Sequence, residues 1–285
     1  MNRADRRKAD KEAGVSRKEY EAAKAINDEF RRAKELHQKG HLADAEASYK
    51  GLLKAVPGQP DVLFALGMLY RQLGDPAKGE QHFQLSLASN PEQPHVLKEL
   101  GSMQYQSQKL TASEASFKEG ARLSPADPLM WFNIGAAQLQ MGKLDEAISN
   151  FEKSIELQGA YSMALYYIGR CHDARSDFAT AEGFYRQALE LNPDAYPPMV
   201  DLARTLGMTD RWEEALEAAE SLNDVHSGVT EAMYILAWAQ ENSGAKDDAE
   251  ETYRDILDVE PDHLQAKIGL ANLTGEGMGQ LPEGV

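Results

Sequence analysis

The sequence predicts an all-α architecture in which antiparallel helix pairs stack one on the next, and three observations predict it. Prolines recur at residues 57, 91, 125, 193 and 261, so that the gaps are 34 or 68. One register therefore runs from about residue 26 to 263 and holds seven units, starting near 26, 60, 94, 128, 162, 196 and 230. Within the units small residues return at the eighth and twentieth positions and an aromatic at the twenty-fourth. A fixed period of this kind marks one supersecondary unit copied along the chain.

The first helix of each unit is read from apolar residues at positions four, seven, eight and eleven, which share one face of a 3.6-residue helix. Position seven is apolar from the second unit on (Leu66, Leu100, Ile134, Ile168, Leu202, Leu236), and position eight is always small (Ala33, Gly67, Gly101, Gly135, Gly169, Ala203, Ala237). Glycine at position fifteen in four units (Gly40, Gly74, Gly142, Gly244) ends that helix in a left-handed turn. The second helix carries a small residue at twenty (Ala45, Gly79, Ser113, Ala147, Ala181, Ala215, Ala249). An aromatic follows at twenty-four (Tyr49, Phe83, Phe117, Phe151, Tyr185, Tyr253), with Ala219 the exception. Small residues let the two backbones approach, and the aromatic fills the wedge beside them. Proline near position thirty-two closes the unit. No single pair buries its own apolar stripe, so neighbours must stack.

Four positions depart from the pattern: Arg32 at seven, Ala219 at twenty-four, and Gly159 and Ser227 where other units have proline. Ser16 and Glu19 have capping-box spacing and start a long helix that runs into the first unit. Residues 1–15 form a basic arm, with Arg3, Arg6, Arg7 and Lys8, that is either a disordered arm or a contact for acidic lipid or for the acidic half of a second copy. After Pro261, Leu264, Ile268 and Leu270 suit a closing helix over 264–273. Residues 274–285 hold glycines without the strand and helix a phosphate loop needs, and read as a frayed tail.

This spelling resembles the tetratricopeptide repeat family, whose 34-residue unit has small residues at eight and twenty, an aromatic at twenty-four and proline at thirty-two. The resemblance covers 26–263 and places the solenoid body at 16–263. It implies a right-handed superhelical α-solenoid whose first helices line a concave, peptide-binding groove through positions two, five, six, nine, twelve and thirteen.

Composition bounds the function. The chain is 42% hydrophobic and 27% charged, an ordinary globular balance without a membrane-length apolar run. The N-terminus has no apolar core of a secretory signal, so a cytoplasmic location is expected. Net charge is −16, and residues 196–285 alone hold nineteen acids against five Lys/Arg. An acidic body repels phosphate backbones, which argues against nucleic acid. One cysteine, Cys171, permits no internal disulfide, and the seven histidines form no metal-ligand spacing. Neither a catalytic residue nor a cofactor is expected, and the chain is read as not an enzyme.

The expected groove residues are Phe64, Lys98, Phe132, Asn133, Tyr166, Tyr167, Arg170, Arg204, Tyr234 and Trp238. Phe64 and Phe132 either face a ligand or pack on the next helix, whereas Tyr166, Tyr167 and Trp238 have polar handles that suit a half-wet wall. Gln38, Gln72, Gln106 and Gln140 recur at position thirteen, as backbone-binding amides or as polar filler. Repeat modules that hold a chaperone's C-terminal carboxylate offer a comparison: Lys98 and Asn133 match their pattern, but Ser102, Met163 and Tyr167 do not. Lys98, Asn133, Arg170 and Arg204 form either a largely cationic wall or a set neutralised by acids such as Glu99 and Asp201. The expected function is a scaffold or adaptor for a protein or peptide partner. The alternatives are a non-catalytic recognition arm for a transferase-type enzyme acting in trans, and a self-assembling homo-oligomer.

Overall fold

A computed structural model describes residues 17–275; the basic arm at 1–15 and the tail beyond Gly275 lie outside them. Among the described residues there are fifteen α-helices and no strand. They are α1 (Arg17–Gln38), α2 (Leu42–Ala55), α3 (Pro60–Gln72), α4 (Pro76–Ser89), α5 (Pro94–Gln106), α6 (Leu110–Leu123), α7 (Pro128–Gln140) and α8 (Leu144–Gln158). There follow α9 (Ser162–Asp173), α10 (Phe178–Leu191), α11 (Tyr196–Met208), α12 (Trp212–Val225), α13 (Thr230–Ser243), α14 (Lys246–Val259) and α15 (Leu264–Thr274). The chain divides into two compact units, one ending at Asn133 and one beginning at Ile134.

Odd-numbered helices from α1 to α13 open a hairpin and the following even-numbered helix closes it. Turns of only a few residues join the two, which forces antiparallel neighbours. Proline stands in the first turn of α3, α4, α5 and α11, where a missing N–H leaves no bond unmade. All seven turns place position fifteen at positive φ: Gly40, Gly74, Gly142 and Gly244, and also Gln108 (φ 58°), Ser176 (60°) and Asp210 (58°). The short turn thus dictates a left-handed residue even where the sequence supplies a side chain that disfavours it.

Six of the seven hairpins bury the twenty-fourth-position aromatic completely or nearly so. The small residue opposite is a steric necessity at Gly169, where a Cβ would lie 2.6 Å from the Tyr185 ring, and at Gly101, where it would lie 2.9 Å from Phe117. Where Ala219 replaces the aromatic, Met199, Val200, Leu222 and Leu236 close the space around it. Arg32 leaves the core and pairs with Glu29 at 3.8 Å.

The last helix meets the expectation in part. Leu264 is 38% exposed, whereas Leu270, together with Leu273, packs against the cluster of Ala237, Ala249, Tyr253, Ile256 and Ala266, and Gly269 and Ala271 are buried as well. Tyr253 stands so close to α15 that a Cβ on Gly269 would collide with its ring, so a small residue is required at that point of a seam that also contains Leu270 and Leu273.

Candidate functional site

In the second unit, side chains one helical turn apart share a face. This brings Tyr166, Arg170 and Asp173 of α9 beside Asp201, Arg204, Thr205 and Met208 of α11 and Tyr234, Ile235 and Trp238 of α13. With Phe178 at the start of α10 they line an open groove of 640 Å³. Its charges are largely paired. The Tyr166 hydroxyl donates to Asp201 at 2.9 Å, Arg170 donates to that hydroxyl at 3.4 Å and lies 3.8 Å from Asp201, and Arg204 is bonded to Glu231. Both arginines remain about half exposed (47% and 48%).

Two expectations need correction here. Tyr166 is not half-wet: it is 7% exposed, and burial pushes its hydroxyl up to about 12. The cationic wall is not a set of free charges either. Lys98 lies 4.0 Å from Asp127, and each of the two arginines has its own acid, so neutralisation prevails. Asp201 takes that role as weighed from the sequence, whereas Glu99 is bound by Arg71 instead. Lys98 and Asn133 belong to the first unit and Arg170 and Arg204 to the second.

A second groove, of 410 Å³, lies in the first unit between α1, α3 and the start of α5. Phe30, Phe64 and Met68 line it; Phe64 meets His95 edge-on at 4.9 Å, and the Lys34 ammonium stands 5.7 Å from the Phe30 ring centre. Phe64 has the packing role weighed for it, on the cluster of Phe83, Val96, Leu100 and Met103, while one side of it lines the groove. The Tyr49 hydroxyl at the groove's wall is buried without a hydrogen-bond partner. Of the glutamine row, Gln72 meets His37 at 3.0 Å, and all four are exposed.

The remaining expected residues serve packing more than the groove. Tyr167 stacks on Phe151 with centres 5.5 Å apart, Phe132 and Asn133 are partly buried, and Trp238 meets Trp212 edge-on at 5.0 Å while also lining the groove. Sequence reasoning missed Asp173, Phe178 and Met208. Asp173 and Met208 occupy positions twelve and thirteen of their units, so the register alone was enough to find them. Asp173 has no hydrogen-bond or ion-pair partner among the described residues, and burial, helped by the Asp201 charge, raises its carboxyl above the usual range.

Cys171 is fully buried, and desolvation pushes its thiol up to about 11, which suits packing rather than nucleophilic attack. Among the described residues no cluster of His, Cys, Asp or Glu is arranged to hold a metal, and no helix is long and apolar enough to cross a membrane.

Stacked hairpins with small-residue seams and open side-chain grooves define a helical-repeat scaffold of the kind used for protein–protein interaction. Family models described as tetratricopeptide repeat match residues 30–94, 127–194 and 200–273, and the chain belongs to that family. Such proteins are generally non-catalytic. Solved structures agree on the fold. The C-terminal part of a TPR repeat-containing protein from Cytophaga hutchinsonii is 18% identical, with a TM-score of 0.67 over 85% of this chain and 99% of that one. A tetratricopeptide repeat protein from Parabacteroides merdae is 14% identical, with a TM-score of 0.67 over 88% and 99%. YrrB, described as a TPR protein with an unusual peptide-binding site, is 18% identical, with a TM-score of 0.51 over 65% and 95%. Among curated proteins none matches the sequence significantly.

Proposed function

We propose that this chain is a non-catalytic adaptor that grips an extended segment of a partner protein in the groove formed by α9, α11 and α13. One observation carries the reading: an open groove of 640 Å³ combines aromatic walls, Tyr234 and Trp238, with half-exposed polar side chains that converge on it. Clefts of this size with a few fixed polar groups are the usual form of a binding site, and tyrosine, tryptophan and arginine are the residues most often dominant in interfaces. The unusual peptide-binding site attributed to YrrB supports the same use of a related scaffold. On this reading residues 16–263 act as the recognition body, 264–273 close its end, and Phe64, Lys98, Phe132 and Asn133 belong to a separate candidate surface of the first unit.

The test is site-specific photo-crosslinking. A photoreactive amino acid replaces Met208, which is 63% exposed at the groove's edge, or Glu213, which is exposed and outside the groove lining. Position 208 is expected to capture a defined protein segment that position 213 does not, and the capture is expected to weaken in Arg170→Ala/Arg204→Ala. Equal capture at the two positions, unaffected by the arginine changes, defeats the reading.

A further inference from the structure

Resting on that reading, we infer that the groove of the second unit selects a partner segment by a lysine or arginine side chain, received by Asp173 between the aromatic faces of Phe178, Tyr234 and Trp238. The groove's own cations are already engaged, Arg170 by Asp201 and the Tyr166 hydroxyl, and Arg204 by Glu231. These two arginines face three acids, Asp173, Asp201 and Glu231, and the surplus charge is the Asp173 carboxylate. Among the described residues no donor bonds it, and Arg170 offsets it by charge alone without forming an ion pair. The nearby Tyr185 hydroxyl feels the charges of both Asp173 and Asp201, yet it is buried and bonded to neither.

A half-buried carboxylate without a partner is an unfavourable arrangement that an incoming cation relieves. Aromatic rings around it add attraction for the same charge, most of all when the cation is stripped of water. The surrounding field has the matching sign. Residues from Ile134 onward hold ten Lys/Arg against twenty-eight Asp/Glu, a net of −18, whereas residues up to Asn133 hold twenty against eighteen. A cationic segment is therefore drawn toward this unit, and a carboxylate-bearing one is repelled. The ligand chemistry is opposite to that of a groove built to clamp a C-terminal carboxylate.

The test uses a synthetic array of random peptides, N-acetylated and C-amidated, probed with the full chain and its variants. The expected result is that bound peptides share a Lys or Arg beside an apolar residue, and that Asp173→Asn weakens them about tenfold. Replacing the shared Lys or Arg by citrulline is expected to remove the same factor from the unaltered protein and little from Asp173→Asn. Far-UV circular dichroism and thermal melts of Asp173→Asn establish that it stays folded. Bound peptides that share Asp or Glu instead, and that depend on Arg170 and Arg204 but not Asp173, overturn the inference and leave the peptide groove standing. A full chain that retains no peptide, while Met208 crosslinks no segment, removes the groove reading and the inference with it.

Discussion

Replacing Gly169 by alanine sets two effects of known sign against each other. Alanine in a helix interior is favoured over glycine by about 1 kcal/mol, so intrinsic propensity predicts a more stable protein. The structure predicts the reverse. The new Cβ would lie 2.6 Å from one carbon of the Tyr185 ring, 2.8 Å from the next and 3.3 Å from the Ala181 carbonyl oxygen. Comfortable carbon–carbon contact needs about 3.5–4.0 Å. Tyr185 is fully buried among Leu165, Tyr166, Ala181 and Leu202 and has no room to retreat. Overpacking of this kind costs about 1–3 kcal/mol, which leaves Gly169→Ala destabilised by up to about 2 kcal/mol after the helix gain of about 1 kcal/mol. Gly183, two residues from Tyr185 on α10, supplies the control, because a Cβ there meets nothing within 4 Å. Gly183→Ala is expected to stabilise by about 0.5–1 kcal/mol. Urea unfolding followed by far-UV circular dichroism measures both, and in a Tyr185→Ala background the penalty at Gly169 is expected to disappear. A Gly169→Ala protein as stable as Gly183→Ala refutes the close approach on which the repeat's small-residue rule rests.

Ser176 and Gln108 hold positive φ with a side chain present, so Ser176→Gly and Gln108→Gly are expected to raise the urea midpoint slightly, by the net of about 1–2 kcal/mol of relieved strain and up to about 1 kcal/mol of added unfolded-state entropy. Cys171, buried and with its thiol held near 11, is expected to react with a disulfide reagent at neutral pH only at the rate of local opening, and at full speed in denaturant. Asp173 has a raised carboxyl, so the native state binds its proton more tightly than the unfolded chain and ionisation is unfavourable to folding. Asp173→Asn is accordingly expected to be more stable than the parent near neutral pH, with the gain fading as pH falls and Asp173 protonates, which paired melts across that range measure.

The helices were legible because their signals are local and repeated. Pro60, Pro94 and Pro128 start α3, α5 and α7, and glycine at position fifteen marks four of the turns. Gln108, Ser176 and Asp210 adopt the same left-handed geometry without a compositional sign, since the constraint comes from the packing of two helices and not from the turn residue. The groove was legible by position only. Register placed Tyr166, Arg170, Arg204, Tyr234 and Trp238 on one wall, all of which line it. It gave no measure of depth, so Tyr166 reads as half-wet and is buried, and it gave no measure of pairing, because Glu231 reaches Arg204 from the neighbouring hairpin. The closing helix was legible in part for a related reason: residue hydrophobicity pointed to Leu270, which packs on the core, and also to Leu264, which does not, while the clearance from Tyr253 that requires Gly269 left no apolar sign.

Ion pairing within the groove changes what its charges are able to do. An arginine already bonded to an acid contributes little Coulombic attraction to a ligand, because the pair is seen from outside as a dipole and is partly screened by water. Its guanidinium still offers N–H donors and a flat face. Arg170 and Arg204 therefore act as walls and hydrogen-bond donors, while the sign of the recognised charge is set by the carboxylate left over. Removing Asp201 is expected to be more disruptive than removing Asp173, since it releases Arg170 and strands the buried Tyr166 hydroxyl together. Position thirteen of a first helix is exposed in every unit, so it is free to set specificity while the fold is held elsewhere, whereas position twelve has that freedom at Asp173 but packs at Gly207, where a Cβ would collide with Trp238.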